Sequence, residues 1–213
     1  MTENVKEVLM AGCDALGLDL HENQAQSLLT HVQLLEKWNR THNLTAITEP
    51  VDMVVQHLLD SLAIFPWVKP GRLLDVGTGG GFPGLPLAIV APALDVVLLD
   101  SRGKRVQFLR HVQGRLGLEN VILENCRVEN YKSETKFDTL TARAFTSLSN
   151  MVGLCEGVLG NGTRLVAMKG AEPVEEIEQL KVDHVRLAEM NIQTQKLSVP
   201  FLQAERHLVI IDF

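Results

Sequence analysis

The chain predicts an α/β fold: a doubly wound, Rossmann-like sheet of seven strands, preceded by a helical segment. Three observations carry that reading. Residues 1–65 repeat their apolar side chains at helical spacing. From Gly71 onward, short apolar runs alternate with helical stretches, the pattern of βαβ units. Those runs are nearly all apolar rather than alternating, as parallel strands covered on both faces should be.

Thr2 can cap a first helix to about Leu16, with Val5, Val8, Leu9 and Leu16 roughly on one face, and Gly17 can end it. A second helix should begin near Glu22, with Ala25, Leu28, Leu29, Val32, Leu35 and Trp38 at helical spacing, and give out around Thr41–Asn43. The third runs from Pro50, where a helix tolerates proline best, to about Phe65, with Pro66 marking its end. Parallel strands are expected at Arg72–Val76, Asp95–Leu99, Val121–Glu124, Phe137–Ala142 and Arg164–Met168. The intervening helices lie near Pro83–Val90, Lys104–Leu116, Ser147–Leu159 and Val174–Met190. Ile192–Val199 and His207–Asp212 have no helix between them and should pair antiparallel, completing seven strands. The expected division is a helical segment, 1–65, packed on a core, 66–213.

At 213 residues, 46% hydrophobic and 22% charged, the chain suits one medium core with an appendage rather than disorder. It holds no apolar window long enough to span a bilayer. Its start, MTENVKEVLMAG, puts acidic residues where a signal peptide carries positive charge. Cys13, Cys126 and Cys155 are widely spaced and form no CxxC pair, so neither a disulfide framework nor a metal site is expected. Together these features predict a cytoplasmic monomer without membrane or metal. The net charge of −6 argues against a protein that coats nucleic acid by bulk electrostatics, but not against a local basic face.

The loudest local signal is Leu73-Leu74-Asp75-Val76-Gly77-Thr78-Gly79-Gly80-Gly81-Phe82-Pro83-Gly84. A plain βα turn needs one or two glycines, and this loop has five, which allows close approach of backbone to a ligand beyond the strand's carboxyl end. Two fingerprints overlap here. Gly79, Gly81 and Gly84 fit the GxGxxG of dinucleotide-binding folds, with Asp100 21 positions after Gly79. Asp75, Gly77, Gly79 and Gly81 fit the DxGxGxG of S-adenosylmethionine-dependent methyltransferases. The second is favoured because a charge at Asp75 would oppose a pyrophosphate but suits a cofactor with an ammonium and a sulfonium. The short remainder of the chain also leaves little room for a separate substrate domain. Asp100, ending Val96-Val97-Leu98-Leu99-Asp100, offers two acceptor oxygens to the vicinal hydroxyls of a ribose, or an N-cap to the next helix.

With these residues in view, the sequence resembles the RsmG (GidB) family along nearly its whole length. The likeness rests on Leu35-Glu36-Lys37-Trp38-Asn39-Arg40, Asn43-Leu44-Thr45-Ala46-Ile47 and His57-Leu58-Leu59-Asp60-Ser61-Leu62, then on the glycine loop and Leu99-Asp100-Ser101. Arg127-Val128-Glu129, Ala142-Arg143-Ala144-Phe145, Met168-Lys169-Gly170 and Glu205-Arg206-His207-Leu208-Val209 extend it. The glycine loop alone names only a superfamily; the Trp-Asn…Asn-Leu-Thr and Arg-Ala-Phe elements make the resemblance specific. It implies a class I methyltransferase that carries the methyl of S-adenosylmethionine to N7 of a guanine in 16S ribosomal RNA, near the decoding site of the small subunit, leaving S-adenosylhomocysteine. By resemblance, Gly77, Phe82, Val128, Glu129 and Arg143 line the cofactor site, beside the Asp75, Gly79 and Asp100 already singled out. Phe82 departs from the aliphatic residue often found there, which changes the packing surface.

Guanine N7 carries a lone pair and no proton at neutral pH, so this reaction needs positioning rather than a general base. The chain agrees by what it lacks: no Asn/Asp-Pro-Pro-aromatic tetrad follows the fourth strand, where Thr141-Ala142-Arg143-Ala144-Phe145 stands, and there is no Pro-Cys nucleophile. Cys155 falls in an apolar helical pattern and reads as core. Catalytic groups are therefore left open, with Arg143, Lys169 and Arg206 as candidates for positioning substrate. A guanidinium at 143 can fork onto a carboxylate, guanine O6 or phosphate, or pair with a neighbouring loop acid. Phe145 reads as core before it reads as a base-stacking ring. Residues 101–117 hold Arg102, Lys104, Arg105, Arg110 and Arg115 and no acid, a stretch that meets phosphates or is merely a solvated face. His57 and Asn39 are read as joining the helical segment to the core. Three other readings compete: a small-molecule methyltransferase with a helical lid, a nicotinamide dinucleotide-binding protein, and a noncatalytic cofactor-binding assembly factor.

Overall fold

The structure, a computed structural model, describes residues 3–187 and 189–213. The expected cap at Thr2 lies outside them. Helix α1 (Glu3–Ala15) ends as Gly17 takes φ +71°, and α2 (Glu22–His42) ends at Asn43 in the left-handed conformation. The third helical stretch is less regular than expected. It opens as α3 (Pro50–Met53), widens to a π-helical stretch over Val54–Leu59, and closes as α4 (Asp60–Leu62). Among the described residues, no helix is long and apolar enough to cross a membrane.

The sheet holds β1 (Arg72–Val76), β2 (Asp95–Leu99), β3 (Val121–Glu124), β4 (Thr139–Arg143), β5 (Arg164–Lys169), β6 (Ile192–Leu197) and β7 (Arg206–Asp212), in the order 3-2-1-4-5-7-6. The first five are parallel, and β7 runs antiparallel to both β5 and β6. The helices between are α5 (Gly84–Val90), α6 (Gly103–Leu116), α7 (Leu148–Leu154) and α8 (Val174–Asp183). Two of these are shorter than the sequence suggests. Helix α7 stops at Cys155, ahead of Gly157 and Gly160, and α8 breaks at His184, whose ring turns to bond the Ser149 carbonyl. Strand β4 starts two residues later than expected because Asp138 is engaged with Arg72, accepting its backbone N–H on the side chain.

The uninterrupted apolar runs have a direct cause. Leu73, Val96 and Leu98 point into one hydrophobic cluster, while their neighbours Leu74, Val97 and Leu99 point into the other. Successive positions on these strands are therefore apolar on both faces, with Asp75 in β1 and Thr139 and Thr141 in β4 buried as polar exceptions. The cluster on the first face joins Val5, Leu9, Leu28, Leu35, Leu58 and Leu62 to residues of α5, α6 and β1 without a break. The N-terminal helices are thus layered over the same sheet face as α5 and α6. Strand order reverses between β1 and β4, and a crevice opens at the carboxyl ends of those strands, as such topologies dictate.

Candidate active site at the switch point

Beyond β1, the backbone N–H groups of Gly77 and Thr78 both donate to the Leu99 carbonyl, at 2.8 and 3.1 Å, tying the glycine loop across the end of β2. Gly79 sits at φ +61°, a conformation with a steric penalty for side-chain-bearing residues, and aims its N–H at Asp100 Oδ2, 3.0 Å away. Gly84 answers a different demand, because a Cβ there would lie 2.9 Å from the Asp75 carboxylate and collide with Leu98.

Asp75 is fully buried, and its Oδ2 accepts from Thr78 Oγ1 (2.6 Å) and the Gly84 N–H (2.9 Å). Burial pushes this carboxyl up to about 6, against the pull of those two bonds. Sequence reasoning turned its charge toward a cofactor; the structure turns it inward, where it ties β1 to the start of α5 and shapes the loop from behind.

The loop borders a cleft of about 220 Å³, lined by Gly77, Thr78, Gly79, Gly80, Phe82 and Arg143 among others. Asp100 stands beside it, almost fully buried, with both oxygens engaged within the protein. Its Oδ1 accepts from the Arg102 N–H at the entry to α6 (2.8 Å), and its Oδ2 serves both Gly79 and Arg105 (3.1 Å). Val128 and Glu129 follow β3 in a short 3-10 turn, the first buried and the second exposed, and neither borders this cleft.

A larger cavity of about 380 Å³ opens on the β4–β5 side. Its apolar walls include Ile47, Phe145, Met151 and Met168, and its polar rim holds Lys169 and Arg206. His57, Arg143 and Ala144 line both spaces, so one thin wall separates the glycine-loop cleft from the basic cavity. Ala144 adopts φ +50°, a strained state for alanine, at that wall.

The three basic candidates are all paired rather than free. Arg143 Nη1 donates to the Gln56 carbonyl (2.9 Å) and Asp60 Oδ2 (3.2 Å), and its Nη2 reaches His57 Nδ1 (3.2 Å). The neighbouring acid is thus Asp60, in the helical segment rather than in a nearby loop. Arg206 Nε donates to Asp60 Oδ1 (2.8 Å), and Lys169 Nζ to Glu176 (2.7 Å) and the Thr146 carbonyl. Because a guanidinium only donates, His57 Nδ1 accepts, and its Nε2–H is left to donate to Thr45 Oγ1 at 2.9 Å. Burial, reinforced by the Arg143 charge, pushes this imidazole down to about 3, so it is neutral. His57 joins the helical segment to the core through Arg143, whereas Asn39 accepts the Thr45 N–H within the segment itself.

The same segment grips the glycine loop. His31 is fully buried on α2, with Nε2 2.8 Å from the Gly80 carbonyl. Its ring stacks on Phe82 at 4.6 Å, and His57 also stacks on Phe82 at 4.6 Å. The Arg143 guanidinium carbon lies 5.3 Å from the Phe82 ring centre. The aromatic residue at 82 thereby joins α2, the π-helical stretch and Arg143.

Of the cations in the basic stretch, Arg105 is committed to Asp100, whereas Arg102, Lys104, Arg110 and Arg115 are exposed on or beside α6 and make no ion pair among the described residues. Cys155 is buried, and burial above all pushes its thiol up to about 12, which suits core packing and not nucleophilic attack. Sequence reasoning quoted Asp60 for family resemblance but gave it no role. The available signal was an acid inside Leu58-Leu59-Asp60-Ser61-Leu62, since a carboxylate amid core residues is buried only with partners.

A family model described as "GidB: rRNA small subunit methyltransferase G" matches residues 24–209. The ribosomal RNA small subunit methyltransferase G of Salmonella arizonae is 46% identical over 199 residues, covering 93% of each chain. Its namesake from Alteromonas mediterranea is 42% identical over 207 residues, covering 97% of this chain and 96% of its own. Among solved structures, a SAM-dependent O-methyltransferase from Thermotoga maritima superposes with a TM-score of 0.53 at 17% identity, over 84% of this chain and 71% of that one. That likeness speaks to the fold alone, the seven-stranded sheet of class I methyltransferases.

Proposed function

The chain belongs to the GidB family of ribosomal RNA small subunit methyltransferases, and from that premise we propose that it methylates N7 of a guanine in 16S ribosomal RNA, of the guanine-527 type, using S-adenosylmethionine. The observation that carries the chemistry is the shared wall of His57, Arg143 and Ala144 between the glycine-loop cleft and the basic cavity. A methyl group passes between two ligands only where they meet, and here a cleft suited to an adenosyl group adjoins a cavity rimmed by cations.

The residues present fit S-adenosylmethionine. Gly77, Gly79 and Gly80 leave the cleft floor bare backbone, and Asp100 sets carboxylate oxygens beside it for ribose hydroxyls. Arg105, now on Asp100 Oδ2, would share or yield that oxygen. The adenine end is assigned to Val128 and Glu129, which follow β3, on the family resemblance alone. The sulfonium supplies an electrophilic methyl group. Guanine N7 brings its own lone pair, so no side chain has to accept a proton, and the protein contributes alignment and exclusion of water. Arg143, Lys169 and Arg206 hold the nucleotide in the cavity, and the exposed cations of α6 meet the flanking phosphates. Residues 1–65 act as an appended wall of the 66–213 core, closing the cofactor cleft through His31 and the substrate cavity through His57 and Asp60.

The test is transfer from tritiated S-adenosylmethionine to small subunits that lack the modification, followed by nucleoside mapping. The expected result is close to one label per subunit, recovered as 7-methylguanosine. Transfer to small molecules without RNA, or label on another nucleoside, would refute the proposal.

A further inference from the structure

We propose that Asp60 is the positioning residue of the substrate cavity: a single buried carboxylate that holds Arg143 and Arg206 with their unused donors facing substrate. The inference rests on the reading of the cavity as the guanine site. Asp60 is about 1% exposed, and it spends one oxygen on each arginine, Oδ1 on Arg206 Nε and Oδ2 on Arg143 Nη1. The two guanidinium groups arrive from the end of β4 and the start of β7, on either side of the end of β5, and Asp60 of α4 reaches both.

The remaining bonds fix which donors are left over. Arg143 is held on both terminal nitrogens, through Gln56, Asp60 and His57. Arg206 is held at Nε and, through the Glu205 carbonyl, at Nη1. Its Nη2 has no partner among the described residues, while the residue borders the cavity. Two cations share one carboxylate, and Lys169 is balanced by Glu176. One positive charge is therefore in excess at the rim, in a fixed orientation that suits an oxygen acceptor on an RNA nucleotide. Asp60 touches no reacting atom; it acts through the arginines.

The experiment compares Asp60→Asn, Arg206→Gln and the double variant with wild type in single-turnover methyl transfer to unmodified small subunits. S-adenosylhomocysteine affinity is measured on the same proteins by calorimetry, and folding by a cooperative thermal transition. Each single variant should lose roughly 10–100-fold in rate at saturating RNA, the scale expected when a positioned group shifts by about an ångström. Cofactor affinity should hold at the wild-type value in Arg206→Gln, whose side chain does not border the cofactor cleft, and the double variant should be no slower than the slower single. A merely structural role would lower cofactor affinity in step with rate and make the losses multiply, and either result would overturn the inference. So would a wild-type rate in Asp60→Asn. If Asp60→Asn does not fold, Arg206→Lys decides: lysine keeps the charge but lacks the planar fork that bonds Asp60 through Nε while fixing the direction of Nη2, so it should be as slow as Arg206→Gln, and a wild-type rate overturns the inference. Wild-type protein that leaves the RNA unmethylated would overturn the functional reading and this inference together, whereas active wild type with unaffected variants removes this inference alone.

Discussion

His31 makes the protein's stability depend on pH in a way that can be isolated. Burial pushes its imidazole down to about 4 from an ordinary value near 6.5, while its Nε2–H donates to the Gly80 carbonyl and Nδ1 has no partner. The unfolded chain therefore binds a proton that the folded chain refuses between those two values. The folded pKa is depressed, so the contribution is whole above about 6.5 and is lost as pH falls toward 4, by about 3 kcal/mol in total. At pH 5 the loss should be about 2 kcal/mol. His57, pushed down to about 3, changes in the same sense; Asp75, pushed up to about 6, changes in the opposite sense, because its burial penalty is relieved below pH 6. Subtracting a variant removes both. His31→Gln does not titrate and can still donate to Gly80, at the expense of stacking on Phe82, which costs about 1 kcal/mol at every pH. Urea unfolding followed by the fluorescence of Trp38 and Trp67 should show wild type losing about 2 kcal/mol more than His31→Gln between pH 7.5 and 5. Parallel pH profiles for the two proteins would mean that His31 titrates in the fold as it does in the unfolded chain, and the account of the loop's anchor would be wrong.

Three further outcomes follow from the geometry. Asp100→Ala removes the acceptor for Gly79, Arg102 and Arg105, and should weaken S-adenosylhomocysteine binding by roughly 1.5–3 kcal/mol in calorimetry; unchanged affinity with a lower melting temperature would leave only the turn-capping role. Gly84→Ala presses a methyl against Asp75 and Leu98 and should cost about 1–3 kcal/mol of stability in chemical denaturation. Replacing Arg102, Arg110 and Arg115 by Gln should flatten the slope of log affinity for RNA against log salt by about 2–3, at 0.7–0.9 per phosphate contact, with cofactor affinity intact. A triple variant with the wild-type slope would send the RNA to another face.

The strands were legible because both sheet faces are covered, so Leu73, Leu74 and Val76 in β1 and Val96 to Leu99 in β2 had to be apolar on either face, with Asp75 the buried exception. Helix ends were less legible. The break of α8 at His184 depends on a bond to Ser149 from another helix, and the π-helical stretch at Val54–Leu59 has no periodic signature in so short a run. At the site, the glycine loop and Asp100 announced themselves by residue type and spacing. The partners of Asp60 did not, since Arg143 and Arg206 lie 83 and 146 positions away from it and meet it only when the fold is assembled. Arg105 was read with its basic neighbours because local charge cannot tell a cation facing Asp100 from one facing solvent.

The exposed cations of α6, which make no ion pair among the described residues, form a local basic face on a molecule whose net charge is −6. Near a polyanion such a body experiences a torque before it makes a contact. Over most approach directions it is repelled, and only with α6 leading is it drawn in. At physiological ionic strength the field fades within about 8 Å, so the effect does not gather molecules from afar. It acts in the last few ångströms as an angular filter, rejecting encounters made with the wrong side and rotating the rest into register.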